Sequence, residues 1–249
     1  MFDLSASFLF IVGSTFFAAG VVKGVTGMGL PTMAMGLMGS LVSPLTAASL
    51  LIVPSFVTNV WQLLAGPNFM PLLFRLWPMM LALAVATALG SSWLAAGDNR
   101  LTTAALGAAL VAYSGYALLA RQVGVPRHSE RLLWPLIGAA TGIVTGATGV
   151  LVFPAVPYLQ ALGLAKDDLV QALGLSFTVS TIALSIGLGA QGVLETEMLG
   201  LSVLAVLPAL AGMWIGQCIR DRISPAVFRR GFLLCLMLLG AEMCLRALF

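Results

Sequence analysis

Lys23 is the residue most able to do chemistry in this chain. It lies inside an apolar run, Gly20-Val-Val-Lys23-Gly24-Val-Thr26-Gly27-Met-Gly29-Leu-Pro31, far from any polar loop. A cation inside a membrane-like segment is costly and marks a substrate or ion path more often than a surface charge does. The competing reading is a stem that snorkels to the interface from near a helix end. Lys23 points to the chemistry of an anion, held by an ammonium and by hydroxyls such as Thr26 and Thr32.

The same pattern returns past the midpoint as Gly142-Ile-Val-Thr145-Gly146-Ala-Thr148-Gly149-Val-Leu-Val-Phe-Pro154. Gly20, Gly24, Thr26 and Gly27 map onto Gly142, Gly146, Thr148 and Gly149 at one spacing of 122 residues. A Gly-interrupted apolar segment at matching places in two halves is the best sequence pointer to a transporter's site. Glycines allow backbone turns that other residues resist. A break at each stretch would aim the amide-rich start of the next half-helix at an anion. Pro31 and Pro154 suit the first turn of such helices. The alternative is close helix packing through small residues.

The elements that hold these residues follow from composition. The chain has 249 residues, 60% hydrophobic and 8% charged, with a mean hydropathy of +1.05. A soluble domain carries about 25% charged residues, so this is a polytopic membrane protein. Runs such as Met79-Met80-Leu81-Ala82-Leu83-Ala84-Val85-Ala86 do not alternate, which excludes a β-barrel and implies helices. We expect helices at roughly 5–26, 29–41, 45–65, 71–96 and 101–121, then 132–148, 150–162, 168–190, 197–217 and 225–248. The segments at 29–41 and 150–162 are short for a crossing and read as half-helices or re-entrant arms.

The expected fold is therefore all-α, with two inverted-topology repeats of about five segments each and broken helices at the repeat interface. Residues 1–121 form the first repeat, 122–131 a cytoplasmic linker and 132–249 the second repeat, within one transport domain. Gly90 answers Gly216, Gly107 answers Gly231 and Gly115 answers Gly240. Arg121, Arg127 and Arg131 in the linker, and Arg220, Arg222, Arg229 and Arg230 before the last helix, mark one cytoplasmic face. Asp98-Asn99-Arg100, Glu195 and Glu197 then face outward, as do both termini, including Asp3. The N-terminus reads as a first membrane helix and not as a removed signal.

Polar residues dot the long helices after the breaks. Ser49, Ser55, Thr58, Asn59 and Gln62 lie in one, and Gln171, Ser176, Thr178, Ser180, Thr181 and Ser185 in the other. Hydroxyls there usually bond their own backbone. Asn59, Gln171 and Thr181, the last at the 122-residue spacing from Asn59, are candidates to line a pathway. Glu242 and Arg246 are spaced for a structural ion pair on one helix face.

Three cysteines and one histidine, His128, form no metal-ligand pattern, so no metal is expected. No Walker motif, dinucleotide motif or nucleophile triad appears, so neither an enzyme nor a cofactor is expected. The basic residues read as topology signals, with no nucleic acid as partner.

The glycine-rich turn ending in proline, followed by a polar-dotted helix and repeated in the second half, resembles the sulfite exporter family often called TauE/SafE. Gly20, Gly24, Gly27, Gly29 and Pro31, the Pro44-Leu-Thr-Ala-Ala-Ser49 stretch, and Gly142, Gly146, Gly149 and Pro154 carry the resemblance. Val150, Leu151 and Val152 stand where members often have further glycines, so the second cradle is expected to be less open. The resemblance implies a small permease of the bacterial inner membrane that moves sulfite, organosulfonates or related sulfur anions. The reading is a secondary transporter, most simply an exporter. Lys23, Thr26, Gly27, Gly29, Thr32, Asn59, Thr145, Thr148, Gly149, Gln171 and Thr181 are its expected substrate contacts. A passive anion channel and a non-transporting membrane subunit stay open as alternatives. A proton or sodium ion is the candidate coupling ion, membrane lipid surrounds the chain, and a monomer and a homodimer fit equally.

Overall fold

A backbone in lipid must satisfy its own hydrogen bonds, and this sequence does so with helices alone among the described residues. The computed structural model describes residues 6–97, 99–119, 124–220, 222 and 224–248. Asp3, Asp98, Arg121 and residues 122–123 of the linker lie outside the described residues, as do the side chains of Arg127 and His128.

In the first half, α1 spans Ala6–Thr26, α2 Leu30–Leu41, α3 Pro44–Leu64, α4 Phe69–Ala95 and α5 Asn99–Leu119. In the second, α6 spans Arg127–Thr148, α7 Ala155–Ala161, α8 Lys166–Ala190, α9 Thr196–Leu204, α10 Val206–Arg220 and α11 Pro225–Leu248. Six described spans are long and apolar enough to cross a bilayer: α1, α3, α4, α5, α8 and the α9–α10 stretch. The protein is a multi-pass membrane protein.

Burial is arranged opposite to that of a soluble domain. Phe10 and Phe74 are each 75% exposed, and Trp61, Leu89 and Trp93 also face outward. Ser55, Thr58, Asn59, Gln171, Ser176 and Ser180 are fully buried. Apolar side chains outside meet lipid, and polar ones inside must find protein partners.

Each half packs on the other. The helix α1 lies along α10, α6 along α4, α3 along α8, and α5 along α11. Glycines set the first two of these contacts. A Cβ on Gly24 would stand 2.8 Å from Gly216 Cα, and one on Gly146 would stand 2.8 Å from Gly90 Cα. The sequence match of Gly90 with Gly216 is thus a match of packing roles, each glycine facing the repeat motif of the opposite half. Gly107 and Gly240 face each other in the third interface, where a Cβ on either would come within 2.7 Å of the other's carbonyl oxygen. Gly115 and Gly231 meet nothing there.

The boundaries differ from expectation at two places. The helix α6 begins at Arg127, so residues 127–131 form its first turn and not linker. Glu130 in that turn is buried, and Arg75 of α4 holds it with two N–H···O contacts of 2.9 Å. The fourth segment of the second half is interrupted at Ala205. Pro208 has no N–H for the Leu204 carbonyl, which loosens the ladder there.

Pro54 makes a similar gap inside α3, and it is filled. Its missing N–H leaves the Leu50 carbonyl free, and Ser202 of α9 donates to that oxygen at 2.8 Å. The same hydroxyl accepts from Val53 N at 3.1 Å. At the far end of α2, Ser40 donates to Glu242, and Arg246 donates to the Ser40 carbonyl at 2.9 Å. Glu242 and Arg246 form the anticipated pair at 2.5 Å. Together they fasten α2 to α11.

Candidate functional site

The two glycine motifs end their helices by one device. Gly27 has a left-handed φ of 77°, and its N–H caps the Lys23 carbonyl at 2.8 Å. Gly149 has φ 71° and caps the Thr145 carbonyl at 2.7 Å. Only glycine adopts this conformation without strain, and it is the usual residue just past a helix end. Thr26 bonds the Val22 carbonyl at 2.8 Å and accepts from Met28 N at 3.3 Å. Thr148 bonds the Val144 carbonyl at 2.6 Å and accepts from Val150 N at 3.2 Å. Both hydroxyl protons are therefore committed to their own helix ends. Gly24 and Gly146, expected to break the chain, are helical and serve packing; the breaks fall at Gly27–Gly29 and after Gly149.

Lys23 stands one turn before the first break and is only 4% exposed. Its ammonium donates to Asn59 Oδ1 and, at 3.1 Å, to Thr58 Oγ1, both on α3. Both acceptors are neutral. Among the described residues no carboxylate pairs with it. A buried charge without a counter-charge is strongly destabilising, so this site lacks a negative group.

A cavity of about 310 Å³ opens beside Lys23, between the C-terminal ends of α1, α3 and α10 and the N-terminal end of α8. Lys23 and Thr58 lie at its polar wall, Trp61 and Met213 on its apolar sides, and Lys166 and Arg220 also line it. Among the described residues, three cations and no carboxylate line this space. Its electrostatics suit an anion, and the low-dielectric wall strengthens the attraction.

The family profile described as sulfite exporter TauE/SafE matches residues 12–243, nearly the whole chain. The chain belongs to the TauE/SafE family. No curated protein matches it. No solved structure matches it. Membership in the TauE/SafE family makes the protein a membrane transporter of the sulfite and anion exporter kind.

Around this cavity, the sequence-predicted residues divide. Lys23, Thr26 and Gly27 line the cavity. Asn59 sits directly behind Lys23. Gly29, Thr32, Thr145, Thr148, Gly149, Gln171 and Thr181 do not line it. The opposed pair of half-helix starts expected from the sequence is not the arrangement found around Lys23. A Cβ on Gly29 would meet Val22 and Phe232 at 3.0–3.1 Å, so the start of α2 is closed by apolar packing. Val150, Leu151 and Val152 are buried, and the space at Gly149 is taken by Met35. Their bulk closes the second break, as the missing glycines foretold.

Gln171 proves to be a brace. Its amide donates to the Leu63 and Gly66 carbonyls at 2.8 Å each and accepts from Asn68 N at 2.9 Å, tying α8 to the α3–α4 turn. Sequence reasoning missed Lys166 and read Arg220 as a topology signal alone. Lys166 carried a signal: it is a cation in the first turn of a helix, where the dipole disfavours one.

Proposed function

We propose that the chain is a secondary transporter which holds a small sulfur oxyanion, sulfite or an organosulfonate, against Lys23. The observation that carries this reading is the Lys23 ammonium, without an ion-pair partner, beside a cavity lined among the described residues by three cations and no carboxylate. An anion entering there supplies the counter-charge that the fold withholds. Its oxygens accept from the ammonium and replace the weaker neutral acceptors, because charge-assisted hydrogen bonds are the stronger kind. Thr58 stays beside the bound group. Lys166 and Arg220 draw the anion in from solution.

The cavity opens on the face that carries Arg220, Arg222, Arg229 and Arg230, the cytoplasmic face under the positive-inside rule. The proposed conformation is therefore inward-facing, ready to load an anion for export across a bacterial inner membrane. The two halves, inverted relative to each other, rock about Lys23 to expose the site outward. A carrier is favoured over a channel because Val150, Leu151 and Val152 fill the space at the second break.

The test is counterflow. Purified protein in proteoliposomes preloaded with unlabelled sulfite takes up labelled sulfite transiently, with saturation and with competition by methanesulfonate. Flux that rises linearly with concentration and shows no counterflow overturns the carrier reading.

A further inference from the structure

The polar interior does not stop at Lys23. Asn59 takes the ammonium on Oδ1 and donates through Nδ2 to Ser55 Oγ at 2.9 Å. Ser55 lies 3.1 Å from Thr181 Oγ1 on α8. Thr181 gives its own proton to the Phe177 carbonyl at 2.7 Å, so Ser55 must be the donor to Thr181. One directed chain of hydrogen bonds thus runs from the charged cavity in the first half into the second half.

It ends at Thr181, the counterpart of Asn59 at the 122-residue spacing. At the spacing of 122 residues, Thr181 answers Asn59, Ser180 answers Thr58 and Thr145 answers Lys23. Thr58 bonds the Lys23 ammonium, but the Ser180 hydroxyl is fully buried and has no partner at all. Ser176, one turn earlier, is buried and unpartnered as well. Buried polar groups are nearly always satisfied, and an orphan costs the desolvation of that group. Side-chain packing does not call for these hydroxyls, since alanine would fill the same place without that cost.

We infer that Ser180, with Ser176 beside it on the same helix, is a second and uncharged half-site that receives the anion when the carrier faces the opposite side. This rests on the carrier reading above. In the described conformation the half-site is closed and its hydroxyl protons go unused. When the second half opens, those protons point to the anion's oxygens. No cation accompanies them, because Thr145 stands where the first half has Lys23. The anion is therefore held tightly on the Lys23 side and loosely on the Ser180 side, which favours release there.

Sidedness of labelling tests it. Thr58→Cys and Ser180→Cys are made separately in a background with Cys218, Cys235 and Cys244 replaced by serine. Each is treated with an impermeant anionic maleimide in sealed right-side-out and inverted membrane vesicles. Methanesulfonate is the anion present, because sulfite itself consumes maleimides. The expected result is labelling of Thr58→Cys from the cytoplasmic side and of Ser180→Cys from the outer side only. Labelling of both from one side, or no labelling of Ser180→Cys while the background still catalyses sulfite counterflow, overturns the half-site. Loss of counterflow by wild-type protein instead overturns the carrier reading beneath it. Ser180→Ala supplies a second measurement that needs no cysteine. It should lower the counterflow rate about tenfold while leaving sulfite binding from the cytoplasmic side unchanged. An unchanged rate contradicts the inference.

Discussion

Lys23 and Thr145 occupy the same place in the two halves, yet only one of them carries a charge. Each is the residue whose carbonyl is capped by a left-handed glycine, Gly27 at 2.8 Å and Gly149 at 2.7 Å. The backbone is repeated and the chemistry is not. Lys23 faces a cavity, whereas Thr145 is buried and spends its hydroxyl on the Val150 carbonyl at 3.1 Å. The asymmetry leaves one of the two matching helix ends charged and the other neutral.

The glycine contacts predict equal sensitivity in equivalent interfaces. Gly24→Ala and Gly146→Ala each force α1 from α10 or α6 from α4, since the added Cβ meets backbone and not a yielding side chain. Each should lower stability by ~1–3 kcal/mol, read as thermal melting in detergent. Gly115→Ala, where a Cβ meets nothing inside α5, should raise melting slightly, because alanine is the better helix former. A large effect at Gly115 with none at Gly24 would contradict the packing assigned to the motif.

Gln171 should behave as a brace and not as a ligand. Gln171→Ala leaves the Leu63 and Gly66 carbonyls and Asn68 N without their partner. The expected loss is ~3 kcal/mol, or a melting point lower by roughly 10 °C, with little change in the half-saturating concentration of sulfite. A raised half-saturating concentration at unchanged stability would return Gln171 to the substrate.

The cations near the mouth should act through rate and salt. Lys166→Ala and Arg220→Ala each remove a charge that lines the cavity but does not bond Lys23's partners. Uptake at low ionic strength should fall several-fold, with the difference shrinking as salt screens the field. A loss that is the same at all salt concentrations would mean direct contact with the bound anion.

Much of this was legible in the sequence because the strongest signals there are local. Composition dictated helices in a membrane, and the 122-residue spacing located the two stretches where α1 and α6 end. Lys23 stood out because a cation in an apolar run has few innocent explanations. The sequence could not show which glycines bend the chain and which admit a neighbour, because that depends on the packing around them: α10 lies against Gly24, while Gly27 turns left-handed past the helix end. Nor could it show that Gln171 turns toward the α3–α4 turn, or that Lys166 and Arg220 meet at one cavity. These depend on how α8 and α10 pack against the first half, across more than 100 residues of chain.

Lys23→Met is the most direct test of the central claim, because it removes the charge while keeping a side chain of similar length. Removing the buried cation in favour of an apolar stem of similar length relieves an uncompensated charge but leaves Asn59 Oδ1 without its donor, so the melting point should move by no more than ~1–2 kcal/mol of stability. The same variant should lose sulfite counterflow by a factor of a hundred or so, the loss of ~3 kcal/mol of charge-assisted binding. A variant that is folded and inactive is the predicted result. A Lys23→Met protein that still exchanges sulfite at the wild-type rate would contradict the account.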